Sequence, residues 1–66
     1  MSEVDALKSE IRKLSTRAIT AKMNLHDLAE DLPVNWTSIL DVARAAHQAY
    51  EALETARGRL KALETA

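Results

Sequence analysis

His26 and Glu30 stand four residues apart, and Asp27 and Asp31 repeat that spacing one position on. On a helix each pair shares one face. An imidazole and carboxylates so placed are ligands for a divalent transition metal, with open positions left to water or to a second subunit. The same residues also form a surface that another protein could recognise, with Lys22 before them and Trp36 after them: Lys22, His26, Asp27, Glu30, Asp31 and Trp36. The plainest reading is a solvated helix end, in which His26 and Asp27 meet Asp41 or Arg44 across a turn. Acids at a helix C-terminus oppose the macrodipole, so this placement costs stability locally and something must offset it.

Other chemistry has little to build on. The chain has no cysteine, which leaves neither a disulfide nor a thiolate ligand to replace a small core and is compatible with a reducing cytoplasm. It carries one glycine, Gly58, and so no glycine-rich phosphate loop, and it shows no Ser/His/Asp or Cys/His set. No catalytic residues and no cofactor are expected, apart from a divalent metal at the acidic site. Apolar runs of at most three residues fall far below the roughly 20 that span a bilayer, and the Met-Ser-Glu-Val-Asp start is too acidic for a signal peptide. The expectation is a soluble, unexported, cytoplasmic protein with no membrane partner.

These residues must be positioned by helices. Apolar side chains fall at Val4, Leu7, Ile11, Leu14, Ala18, Ala21, Leu25, Leu28 and Leu32, in alternating steps of three and four. Ile39, Val42, Ala46, Ala49, Leu53, Ala56, Leu60 and Leu63 repeat the rule. Both series are heptad seams, and the residues between them are mostly good helix formers. Between the seams lies Leu-Pro-Val-Asn-Trp-Thr-Ser. Pro33 lacks an N–H and drives Leu32 out of the helical region, while Asn35 is an N-cap candidate for a helix opening at Trp36. Leu32 and Ile39 are themselves seven apart, so a single kinked rod would keep the register. An interior proline among weak helix formers favours the turn.

The expected fold is therefore all-α: an antiparallel two-helix hairpin, with helices near 3–31 and 36–64, forming one domain over residues 1–66. Folding at Pro33 or Val34 sets Ala18 and Ala21 against Ala49 and Ala46, a small-residue waist that lets the helices approach closely. Two such helices supply too little apolar volume for a stable core. Helix 2 has the wider apolar face, so a second copy is expected to pack there and complete a four-helix bundle through Trp36, Ile39, Ala43, Ala46, Ala49, Tyr50 and Leu53. Trp36 is expected to plug the bundle end, Met23 to lie outside the seam with Ile19, and His47 to be solvated.

Net charge is −1, but it is unevenly spread. Residues 25–41 hold Asp27, Glu30, Asp31 and Asp41 with no lysine or arginine, between two mildly basic segments. Lys8, Arg12, Lys13, Arg17, Arg57, Arg59 and Lys61 gather toward the open end of the hairpin, where Glu10, Glu51, Glu54 and Glu64 interleave with them. RNA binding is the weakest reading there, because the near-neutral charge and the lack of an aromatic stacking platform both count against nucleic acid.

Lys-Met-Asn-Leu-His-Asp-Leu-Ala-Glu-Asp-Leu-Pro over 22–33, then Asn35-Trp36, Ile39 and Val42-Ala43, resemble the Rop-like family of small proteins encoded in bacterial nitrogen-fixation gene clusters. Asn24 stands where an acid is frequent in that family. The resemblance spans essentially the whole chain and implies a cytoplasmic, non-enzymatic accessory or adaptor protein of nitrogenase biogenesis or its electron supply. Nitrogen-fixation proteins are the implied partners. The family name records likeness to a plasmid copy-number regulator, a dimeric four-helix bundle that binds RNA; that likeness is one of fold, and fold does not carry function.

Overall fold

A computed structural model of the protein describes residues 2–65. Helix α1 runs Glu3–Asp31, a 3-10 turn spans Trp36–Ser38, and helix α2 runs Ile39–Thr65. The two helices fold back on each other as a hairpin measuring 48 × 16 × 13 Å, so the kinked rod is excluded.

Local chemistry explains each boundary. Ser2 caps α1: its hydroxyl accepts a hydrogen bond from the Asp5 N–H at 3.1 Å, and Glu3 and Asp5 place negative charge in the first turn, where the macrodipole favours it. Leu32 leaves the helix at φ −55°, ψ 141°, the extended geometry expected before proline, and the Leu32–Pro33 bond is cis. The Val34 N–H donates to the Asp31 carbonyl at 2.9 Å, which satisfies one of the acceptors left open at the end of α1.

The start of the second helix differs from the expectation. Asn35 adopts φ 61°, ψ 25° and makes no side-chain cap; its carbonyl accepts from the Ser38 N–H at 2.9 Å. Asparagine tolerates this left-handed conformation better than most residues, so it turns the chain here rather than capping a helix. Residues 36–38 consequently form a 3-10 turn, and the α-helix begins at Ile39 instead of Trp36.

The seam closes as its register requires. Ala18, Ala21, Ala46, Ala49 and Leu53 form the core, with Ile11 and Leu14 packed against it. Ala18 is completely buried, whereas among the described residues no large side chain is. Alanine allows close approach of the two helices but supplies little apolar area, and the outcome is measurable. The chain exposes 5169 Å², while a compact chain of this size exposes about 4200 Å². Its radius of gyration is 15.1 Å against about 11 Å for a globular chain of equal length.

Two substitutions on the seam side and the solvent side of this fold should act in opposite directions. Ala18→Leu forces extra volume into the waist and is expected to lower stability by about 1–3 kcal/mol. A Cβ added at Gly58 meets nothing within 4 Å, so Gly58→Ala in the interior of α2 should raise stability by about 0.5–1 kcal/mol. Urea denaturation followed by circular dichroism measures both.

Candidate functional site

The last two turns of α1 place His26 between two carboxylates. Its Nε2 lies 3.2 Å from Glu30 Oε1, one helical turn on, and its Nδ1 lies 3.7 Å from Asp27 Oδ1. All three side chains are largely exposed. Asp31 is not drawn into this group, and among the described residues no set of three or more His, Asp or Glu side chains stands close enough to hold a metal ion. Of the four sequence-selected ligands, the helix sets Asp27 and Glu30 each beside His26 but does not gather three of them around one point. No basic residue occupies the last turn of α1 to offset its acids.

The contact expected across the turn does not form. Arg44 is engaged within its own helix, with Nη1 3.5 Å from Asp41 Oδ1, and His26 faces only its neighbours on α1. The cause is helical spacing: Asp41 and Arg44 are three apart and meet without any reach across the hairpin.

The expectation that Trp36 plugs the end of a four-helix bundle concerns the assembled protein; the single hairpin shows where the side chain starts from. Trp36 is 63% exposed there, at the start of the 3-10 turn. Leu32, Val34, Ile39 and Leu40 around it are exposed as well, Leu40 at 73%. Val34 and Leu40 are the site residues that the heptad reading missed. Leu40 falls one position after the seam residue Ile39 and off the three-four series, which was itself the available signal: a large apolar residue outside the seam. Trp36, Leu40, Ala43, His47 and Tyr50 are spaced by four, three, four and three, a second stripe beside the seam of α2.

The two flanks of the hairpin differ. On one flank a shallow groove is lined by Leu25, Ala43, Ala46 and Tyr50, with Lys22, His47, Glu51 and Glu54 as its polar members. Ile19 and Met23 on α1 are also more than half exposed. The opposite groove is lined by Arg17, Thr20, Ala21, Asn24, Ala45 and Ala52, among others, with no large apolar side chain. Of the interface residues selected from sequence, Trp36, Ile39, Ala43 and Tyr50 remain available on the surface. Ala46, Ala49 and Leu53 do not, because the seam within the chain already buries them to 8% exposure or less.

At the open end the bases are interleaved with acids. Arg57 Nη1 lies 2.9 Å from Glu54 Oε1, and the cleft there is lined by Glu3 and Glu10 as well as Arg59. Among the described residues no helix is long and apolar enough to cross a membrane.

Comparison with known proteins places this geometry in a family. A UPF0437 protein of Azorhizobium caulinodans is 56% identical over 64 residues, covering 97% of this chain and 93% of its own. UPF0437 protein y4xE of Sinorhizobium fredii is 45% identical over 64 residues, covering 97% and 96%. In Frankia alni, a UPF0437 protein in the nifX-nifW intergenic region is 45% identical over 53 residues, covering 80% of this chain and 65% of its own. No solved structure matches significantly. A family model described as Rop-like matches residues 2–65, both helices and the turn between them, and the chain belongs to that Rop-like family.

Proposed function

We propose that the protein is a non-enzymatic accessory of nitrogen fixation that works in the cytoplasm as a homodimeric adaptor, holding a protein of nitrogenase biogenesis or of its electron supply. The process is supported by the relative located between nifX and nifW. The mode of action is supported by one structural observation: half of the large exposed apolar side chains gather at the turn, as Leu32, Val34, Trp36, Ile39 and Leu40, and Leu25 and Tyr50 line a groove on one flank whose opposite groove holds no large apolar side chain. Exposed apolar surface rimmed by polar residues marks interaction sites.

The excess of roughly 1000 Å² over a compact chain is of the order that one partner contributes to a standard interface. A second hairpin seated on the flank of Ala43 and Tyr50 removes that excess and makes a four-helix bundle. The acidic end of α1 is left free in that arrangement to meet the nitrogen-fixation partner through Lys22, His26, Asp27, Glu30, Asp31 and Trp36. A second reading keeps a specific observation of its own: His26 between two carboxylates is the beginning of a divalent-metal site, which a partner's donor would complete.

The association is tested at Tyr50, since Ala46 would break the waist first. Tyr50→Glu is expected to halve the mass seen by light scattering while the helical circular dichroism persists, and an unaltered protein that is monomeric at concentrations of tens of micromolar refutes the dimer. Asp31→Lys replaces an unfavourable charge at the C-terminus of α1 and is expected to raise stability by about 0.3–1 kcal/mol while weakening capture of the nitrogen-fixation partner.

The central test is the double variant His26→Ala, Glu30→Ala. It should change stability by no more than about 0.5 kcal/mol, because both side chains are exposed, and impair diazotrophic growth. Metal titration separates the two mechanisms: divalent-metal uptake lost on His26→Ala favours the metal reading, and no uptake with lost partner capture favours the adaptor. Growth like that of the unaltered strain refutes a functional role for this stretch.

A further inference from the structure

We infer that the tip of the hairpin seats a basic amphipathic segment of another protein, one that presents large apolar side chains among lysines or arginines. The inference rests on the adaptor reading and names the chemistry of its partner. Leu32, Val34, Trp36, Ile39 and Leu40 all remain exposed within nine consecutive residues, an apolar concentration that the chain's own core leaves uncovered. Around them stand Asp27, Glu30, Asp31 and Asp41, and the segment 25–41 that supplies both sets contains no lysine or arginine.

The nearest guanidinium, that of Arg44, is paired with one tip acid, Asp41, and leaves Asp27, Glu30 and Asp31 without an arginine or lysine in an ion pair among the described residues. His26 faces Asp27 and Glu30. The α1 carbonyl terminus adds negative potential of the same sign, with no basic residue in its last turn. An apolar centre with an acidic rim is complemented by an apolar segment with a basic rim, and such pairing favours fast encounter and rejects acidic competitors.

The same charges argue against other occupants. Two tips of this chain set face to face would bring four carboxylates from each copy together. The open end of a second copy is a poor complement, since its Arg57 is paired with Glu54 and its cleft carries Glu3 and Glu10. An anionic bilayer is repelled by the acidic rim. The groove of Ala43 and Tyr50, whose lining includes neither Val34 nor Leu40, is the proposed seat for self-association.

Trp36, the chain's sole tryptophan, reports on the tip directly. The full-length protein is titrated with a synthetic amphipathic Leu/Lys peptide and with its Leu/Glu counterpart. The Leu/Lys peptide should move Trp36 emission to shorter wavelength, bind about tenfold more tightly than the Leu/Glu peptide, and weaken as salt is raised. Backbone amide shifts should concentrate in residues 27–41. The triple variant Glu30→Gln, Asp31→Asn, Asp41→Asn and the single variant Leu40→Ser should each lose about tenfold in affinity while keeping the helical signal and the mass of the unaltered protein.

Equal affinity for both peptides, no binding of either, or amide shifts at the open end would overturn the proposal. So would a lower association state of Leu40→Ser, which would give the tip to a second copy, and an emission shift on phosphatidylglycerol vesicles, which would give it to a membrane. The adaptor reading fails separately. Charge-selective peptide binding with diazotrophic growth indifferent to the tip variants removes the nitrogen-fixation role and keeps the site, whereas growth that depends on the tip without peptide selectivity keeps the adaptor and removes the basic partner.

Discussion

Close packing at the alanine waist governs the rest of the molecule. Ala18, Ala21, Ala46 and Ala49 let two helices of nearly thirty residues approach over the middle of the seam, and the larger residues Ile11, Leu14 and Leu53 fill the adjoining layers. The same choice of residues limits what the hairpin can bury. An alanine removes far less apolar area from water than a leucine, at about 25 cal/mol per Å², so close approach is achieved at the expense of core volume. A chain built this way is long and thin, and it retains surface that a globular chain of its length would hide.

From this limit follows the two-sidedness of the hairpin. If the apolar residues outside the seam were spread evenly, no flank would be a better interface than another. They are not: Leu25 on α1 and Ala43 and Tyr50 on α2 line one groove, while Arg17, Thr20, Asn24 and the alanines at 45 and 52 line the other. Helical periodicity alone converts this sequence spacing into a surface with direction, because residues three and four apart share a face and their neighbours do not. The waist therefore does two things at once, fixing the hairpin and leaving large apolar side chains unburied outside the seam.

Much of this could be read before any coordinates. Two heptad series around a proline specify two helices, and the pairing of Ala18 and Ala21 with Ala49 and Ala46 follows from where the chain turns. What could not be read came from choices that spacing does not decide. Asn35 suits both an N-cap and a left-handed turn, and only the path between the helices selects the turn. Ser2 as the cap of α1 was available from its position three residues before Asp5, ahead of the first apolar residue of the seam, but a heptad count passes over it. Ala46, Ala49 and Leu53 are apolar residues on the correct helix, and periodicity cannot say whether such a residue faces its own chain or a second one. Val34 and Leu40 were missed for the opposite reason: they break the series, and residues outside a pattern are those that the pattern cannot place.

The acidic end of α1 is the clearest conflict between levels of structure. Asp27, Glu30 and Asp31 stand where the helix carbonyls already present negative charge, and the next helix brings Asp41 to the same end of the hairpin. Folding gains nothing evident from this concentration: the His26 contacts are exposed and of the kind worth only tenths of a kcal/mol. The apolar side chains of the tip are costly in the same sense, since water contacts Val34, Trp36 and Leu40 in the isolated chain. Two separate costs in one segment, one electrostatic and one hydrophobic, have a common remedy in a binding surface of opposite charge and matching apolar character. Conflicts of local preference that a fold leaves unrelieved concentrate at functional sites, and relief of both on docking would turn a weakness of the free hairpin into affinity for its partner.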